Sequence, residues 1–181
     1  ASGYTYEYAF VPVVGGTEGN YITNTIGARF DGVFICDLDT IYKFYAGVEY
    51  GTQERVQKIG VFEPYGRKYP VVVSNGLINY STGSFSGTIL PPNYFDDKVL
   101  NRVQMVQQKE QLMDFLTNKK AKILKDWNGN CWLMIIVDNP AVSYAKNSGM
   151  GIADAEANWV ELGDWNNQSD LYNNGILEEA E

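Results

Sequence analysis

The residue types that carry most protein chemistry are scarce in this chain. Histidine is absent from all 181 residues and only 2 cysteines are present. No Ser-His-Asp or Cys-His pair can therefore form, and no zinc site that contains histidine. Cys36 and Cys131 share no CxxC spacing. Each closes or opens an apolar run, Gly32-Val-Phe-Ile-Cys36 and Cys131-Trp-Leu-Met-Ile-Ile-Val137, and both read as small buried hydrophobes. Two free thiols and no signal-peptide pattern fit a protein made in a reducing cytoplasm.

The remaining candidates are loops and acids. Gly15-Gly16-Thr17-Glu18-Gly19 lacks both the Gly-Lys-Ser/Thr ending of a phosphate loop and the spacing of a dinucleotide fold. It reads as a plain turn. Asp37-Leu38-Asp39 offers carboxylates to calcium without the later Gly and bidentate Glu of an EF-hand, so a solvated loop pair is the simpler reading. With 22 acids, some pair always matches the two-carboxylate pattern of a glycosidase, so that match discriminates nothing. Asp126-Trp127 and Asp164-Trp165 resemble sugar-stacking platforms, although interface or buried tryptophans are commoner. Arg67-Lys68 forms one basic turn. No active site, metal or cofactor is nominated. A chain with 13 Tyr, 8 Phe and 4 Trp and no convergent ionisable groups suits a role built on surfaces, because Tyr, Trp and Arg anchor interfaces.

Charge is unevenly placed. Residues 1–146 hold all 14 basic residues and 14 acids, so the whole net charge of −8 comes from residues 147–181, which hold eight acids and no Lys or Arg. A neutral body with an acidic end gives no phosphate-tracking surface, which argues against a dedicated nucleic-acid binder. No apolar run approaches the ~18 residues needed to span a bilayer as a helix.

The elements that must position any site are mostly strands. Aromatic and β-branched residues with 18 glycines favour strands and tight turns. Strands are expected at 4–14, 28–36, 40–50, 55–63, 69–74, 77–80 continuing through 81–90, 122–126, 131–137 and 157–162. Asn75-Gly76 and Asn128-Gly129 each carry the signal of a two-residue hairpin turn. The 131–137 run is apolar on both faces and should be central. Gly83 and Gly87 mark bulges or close backbone approach. One amphipathic helix is expected over about 96–118, with Asp96 or Asp97 as N-cap and Val99, Val103, Val106, Met113 and Leu116 on its buried face. The expected fold is mainly β: a β-barrel or twisted sandwich of eight or nine strands around that helix. It forms one domain over 1–181, with 147–181 belonging to it or forming an arm.

From Ile59 to Asp164 the chain resembles structural proteins of the tails and baseplates of tailed bacteriophages and related contractile particles. The likeness rests on ordered segments: Gly66-Arg-Lys-Tyr-Pro-Val-Val-Val-Ser-Asn-Gly76, Tyr80-Ser-Thr-Gly-Ser-Phe-Ser-Gly87, the helix ending at Lys119-Lys-Ala-Lys122, Asp126-Trp-Asn-Gly-Asn-Cys-Trp-Leu-Met-Ile-Ile-Val137 and Trp159-Val-Glu-Leu-Gly-Asp164. The resemblance implies a split β-barrel of the distal-tail or tail-tube type, assembled in rings within a virion. It implies no catalytic residues and no cofactor. Its partners would be copies of itself and other tail or baseplate proteins, with passive contact to passing DNA and no membrane. Tyr42, Phe44, Tyr50, Arg67 and Trp165 are the expected interface residues, the aromatic face of 40–50 lying near a subunit boundary. The alternative is a carbohydrate-binding β-sandwich of a host-adsorption device; a third possibility, a small hydrolase working with carboxylates alone, has no substrate to name. The acids of 147–181 would line the channel or form a solvated, partner-binding arm.

Overall fold

A computed structural model describes residues 3–29, 31–144 and 151–178, with the backbone alone for Asn75 and Phe95. The chain begins with a β-ribbon. In it β1 (Thr5–Phe10) pairs antiparallel with β4 (Ile22–Gly27), and β2 (Val13–Val14) with β3 (Thr17–Glu18) across the turn at Gly15 and Gly16. Both glycines take positive φ, as the turn reading requires.

The body follows: β5 (Val33–Cys36), β6 (Ile41–Phe44), β7 (Glu49–Tyr50), β8 (Glu54–Phe62) and β9 (Val71–Thr88). Next come α1 (Tyr94–Asp97), α2 (Arg102–Thr117), β10 (Lys122–Asp126), β11 (Cys131–Tyr144), β12 (Ala153–Gly163) and α3 (Gln168–Asn173). Eight strands form one sheet in the order β6-β5-β10-β11-β12-β9-β7, with β8 also paired to β9. The fold is mainly β, as the sequence predicts. It is a twisted, rolled sheet and not a closed barrel. Its two margins nonetheless approach each other: Thr88 donates its N–H to the Ala46 carbonyl (3.0 Å) and Gly51 donates to Ser84 (3.1 Å), so the chain leaving β6 arrives at the opposite edge as β7.

Alternation builds the core. On β12, Ala153, Ala155, Ala157 and Trp159 face inward, while Asp154, Glu156 and Asn158 face away. On β9 the inward residues are Phe85 and Gly87, and the missing side chains admit neighbours: a Cβ on Gly83 would lie 2.9 Å from the Trp159 ring, and one on Gly87 would lie 2.5 Å from the Phe44 ring. The glycines thus serve close approach. Helix α2 adds Leu112, Phe115 and Leu116 to the same cluster.

Four expectations need correction. The single helix of 96–118 is two: Lys98 takes φ 56 and ends α1, and Asn101 starts α2, its side chain accepting from the Val103 and Gln104 N–H groups. Val99, Val103 and Val106 are exposed, because α2 presents Met105, Leu112, Phe115 and Leu116 to the sheet. Asn75-Gly76 is no hairpin turn. It lies within β9 where the register jumps (Gln57 opposite Asn79, Lys58 opposite Asn75), and the chain reverses instead around Pro64–Pro70. Asn128-Gly129 does turn, with Gly129 at φ 93, and β11 is central, paired with β10 and β12. Asp138-Asn-Pro140 does not end that strand but bulges it, with Asp138 at φ 60.

Lys122 is wholly buried at the start of β10. Its ammonium donates to Asn118 Oδ1 (2.6 Å) and the Lys120 carbonyl (2.9 Å) and stands 4.8 Å from the Phe115 ring, closing the C-terminal end of α2. Burial pushes it from 10.5 down to about 8, against the opposing pull of Asp37. The folded protein therefore releases this proton before the unfolded chain does. Stability should rise as pH climbs from 7 through 8, the gain being complete above the unfolded value. Between pH 7 and 9 the expected gain is about 1 kcal/mol. Urea melts over this window should show that rise in the native chain and lose it in Lys122→Met.

Candidate functional site

The most distinctive surface lies outside the core. Every described residue from Gly3 to Gly27 is exposed, including large apolar ones such as Phe10 (69%), Ile22 (74%) and Val14 (80%). Direct cross-strand partners share a face. Tyr6 with Ile26, Tyr8 with Asn24 and Phe10 with Ile22 therefore make one apolar face. Thr5, Glu7, Ala9, Thr23 and Thr25 make the polar one. This arm forms a two-stranded sheet separate from the main one. A ribbon of about twelve residues a side reaches up to about 40 Å.

A second arm is the distal half of the β8–β9 hairpin. Beyond the bulge at Gln57/Lys58 the two strands pair only with each other, Ile59 opposite Ser74 through Phe62 opposite Val71. Ile59, Val61, Phe62, Val72 and Val73 are all more than half exposed. Arg67 stands in the turn at its tip, beside Lys68.

Isolated two-stranded ribbons are marginal in water, and large uncovered apolar patches mark interaction surfaces. The surface area states the excess. A compact monomer of 20.3 kDa exposes roughly 8800 Å², whereas this chain exposes 12664 Å². A standard interface takes about 800 Å² from each partner, so the difference of roughly 3900 Å² would supply several such faces.

The expected interface residues separate into two groups. Phe44 is a correction: it is 3% exposed and packs 5.9 Å from Phe85, so it belongs to the core. Tyr42 and Tyr50 are half-buried beside it, 4.9 Å from Phe115 and 6.3 Å from Trp132. The aromatic face of 40–50 is turned inward and covered by α2 and the rolled sheet. Arg67 is at the second arm's tip and Trp165 is 40% exposed. The sequence reading missed the apolar face of the first arm. Its signal, Tyr4-x-Tyr6-x-Tyr8-x-Phe10, was present as an ordinary strand alternation.

No protein-family model matches the chain, and no curated protein does.

Two grooves hold the remaining candidates. The larger, about 770 Å³, is lined by Trp165, Tyr80, Arg55, Glu161 and Asp164 among others. Glu161 is tied down there, accepting from the Ser81 N–H at 2.6 Å. Trp127 borders a second groove with Tyr45 and Asp31. The acids of 147–181 are largely structural where described. Asp154 accepts from the Thr88 hydroxyl (2.6 Å), and Asp170 from the Asp164 N–H (2.8 Å). Since β12 sits between β11 and β9, this part of the acidic segment is sheet and not a free arm. Residues 147–150, Glu179 and Glu181 lie outside the described residues. Asp37 caps the β5–β6 turn through the Asp39 and Thr40 N–H groups, and Asp39 pairs with Lys120 at 2.8 Å.

Among the described residues, no group of three or more His, Cys, Asp or Glu is placed to hold a metal, and no helix is long and apolar enough to cross a membrane. Both cysteines are free, and burial pushes the Cys131 thiol up to about 11. Only the thiolate alkylates. At pH 8 Cys131 should react with iodoacetamide about 100-fold more slowly than an unburied thiol of 9.0, a gap that closes in urea.

Proposed function

We propose that this chain is a non-enzymatic structural subunit of a tailed-phage tail or baseplate, or of a phage-like contractile particle, and that it assembles into an oligomeric ring. The observation that carries the assembly reading is the set of exposed large apolar side chains on the two arms, in a chain whose total surface is roughly 3900 Å² beyond that of a compact monomer of this mass. A subunit built this way is finished by its neighbours. Heterologous contacts between an arm and a different surface close into rings when the rotation permits. The tail or baseplate assignment rests on the ordered likeness over 59–164, and the rolled sheet with its packed helix is compatible with the split barrel that likeness implies. Its place would be the virion, its partners copies of itself and other tail proteins. The outward carboxylates Asp154 and Glu156 would leave passing DNA unbound.

Electron microscopy of the purified chain at micromolar concentration tests this reading. Rings of one discrete copy number with a central opening are expected. Uniform monomeric particles would refute it. The second reading, a carbohydrate-binding module, is favoured by one feature, the half-exposed Trp165 above a groove that also presents Tyr80, Arg55 and Asp164. A glycan array that binds the native chain but neither Trp165→Ala nor Trp127→Ala would move the conclusion to it.

A further inference from the structure

The two arms differ in charge. From Gly3 to Ala28 the first carries Glu7 and Glu18 and no Lys or Arg. From Lys58 to Asn75 the second carries Lys58, Arg67 and Lys68 against Glu63. One arm therefore nets −2 and the other +2. The ion pairs Lys43–Asp31, Lys109–Glu110 and Lys120–Asp39 use no arm charge. Lys68 stands 5.4 Å from the ring of Tyr69 within its own arm. Each arm is also a two-stranded sheet with uncovered apolar residues, the condition for face-to-face sheet packing at ~10 Å.

From these observations, and resting on the assembly reading above, we infer that the acidic first arm of one copy packs on the basic second arm of a neighbouring copy, making a head-to-tail contact between unlike surfaces. The occupant of each arm is thus a second copy of this chain. Complementary charge selects it, since two first arms repel each other and so do two second arms. Burying Phe10, Ile22 and Tyr8 against Ile59, Val61 and Val72 would supply affinity, and the opposite net charges would draw unlike arms together at long range. Because the two arms are different surfaces, each contact leaves one arm of each partner free, so the interaction propagates until it closes.

Two shortened chains separate this contact from other modes of assembly. One lacks residues 3–28. The other has residues 58–75 replaced by a two-residue turn. Neither removal takes a core side chain. Native mass spectrometry should find each variant monomeric alone and a 1:1 complex on mixing, with no larger species, while the full chain forms rings. Self-association of either variant alone would overturn the inference. So would a full chain that assembles beside a mixture that does not, an outcome that leaves the assembly reading standing. A monomeric full chain would overturn both. Charge reversal gives a second arm of the test in chains of full length. Glu7→Lys with Glu18→Lys should weaken assembly at least tenfold at low salt, as should Arg67→Glu with Lys68→Glu. An equimolar mixture of the two variants is expected to restore association in alternating pairs, and the differences should shrink at high salt. Reversals without effect at low salt would overturn the charge selection.

Discussion

Trp159→Ala is expected to lower the unfolding free energy by about 3–5 kcal/mol. The indole is fully buried on β12, 5.4 Å from the Trp132 ring and against the bare backbone of Gly83. Its inward neighbours on the strand are alanines, which have no spare length to fill the space. The hole would stay open, and the cost of such a hole grows with its volume. With a urea slope of about 2 kcal/mol per molar, the midpoint should fall by roughly 2 M. Trp159→Phe should behave differently. Among the described residues the Trp159 N–H has no hydrogen-bond partner. Phenylalanine would remove that orphaned donor while keeping an aromatic ring on Gly83, so its cost should stay near 1 kcal/mol. Urea melts of the two variants beside the native chain check both numbers; similar losses in the two would contradict the cavity account.

The second large effect falls on assembly and spares the fold. Replacing Tyr8, Phe10 and Ile22 together with serine strips the apolar face of the first arm. None of the three belongs to the core, so the melting temperature of the body should move by no more than a degree or two. Buried aromatic anchors are commonly worth about 2 kcal/mol or more each at an interface. The dissociation constant of the assembled form should therefore rise at least 100-fold. The matching change at Tyr42, Phe44 and Tyr50 should do the reverse of what the sequence expectation held, unfolding the body before any effect on assembly is measurable, because Phe44 and its neighbours pack on Phe85, Phe115 and Trp132.

That contrast shows how far the sequence could be read. Strands 4–14 and 40–50 have the same alternation of aromatic and polar residues. Alternation reports that one face is apolar and does not report what covers it. In β6 the cover is the chain's own helix and far sheet edge; in β1 all six residues stand exposed. Local signals transferred well. The Asn128-Gly129 turn and the doubly apolar β11 stand where they were expected, because each is decided within a few residues. Asn75-Gly76 carries the same dipeptide and failed, since β8 continues to pair with β9 past it and the reversal falls at Pro64–Pro70 instead. The valines of 99–106 failed for a related reason. They are periodic, but Asn101 caps the helix late, and the face that meets the sheet is set by Leu112, Phe115 and Leu116 nearer its other end. The charge split was legible as composition only. Its structural meaning came with β12, whose Asp154 and Glu161 accept hydrogen bonds from β9, and with Asp170 of α3, which holds the turn after the strand.

The central claim is that the arms of this chain are completed by other copies of it. Sedimentation velocity on the native chain and on Tyr8→Ser/Phe10→Ser/Ile22→Ser, each at micromolar concentration and neutral pH, tests it most directly. A large discrete species for the native chain and a folded monomer for the variant is the predicted result. A native chain that sediments as a monomer at every concentration, or a variant that assembles as well as the native chain does, would contradict it.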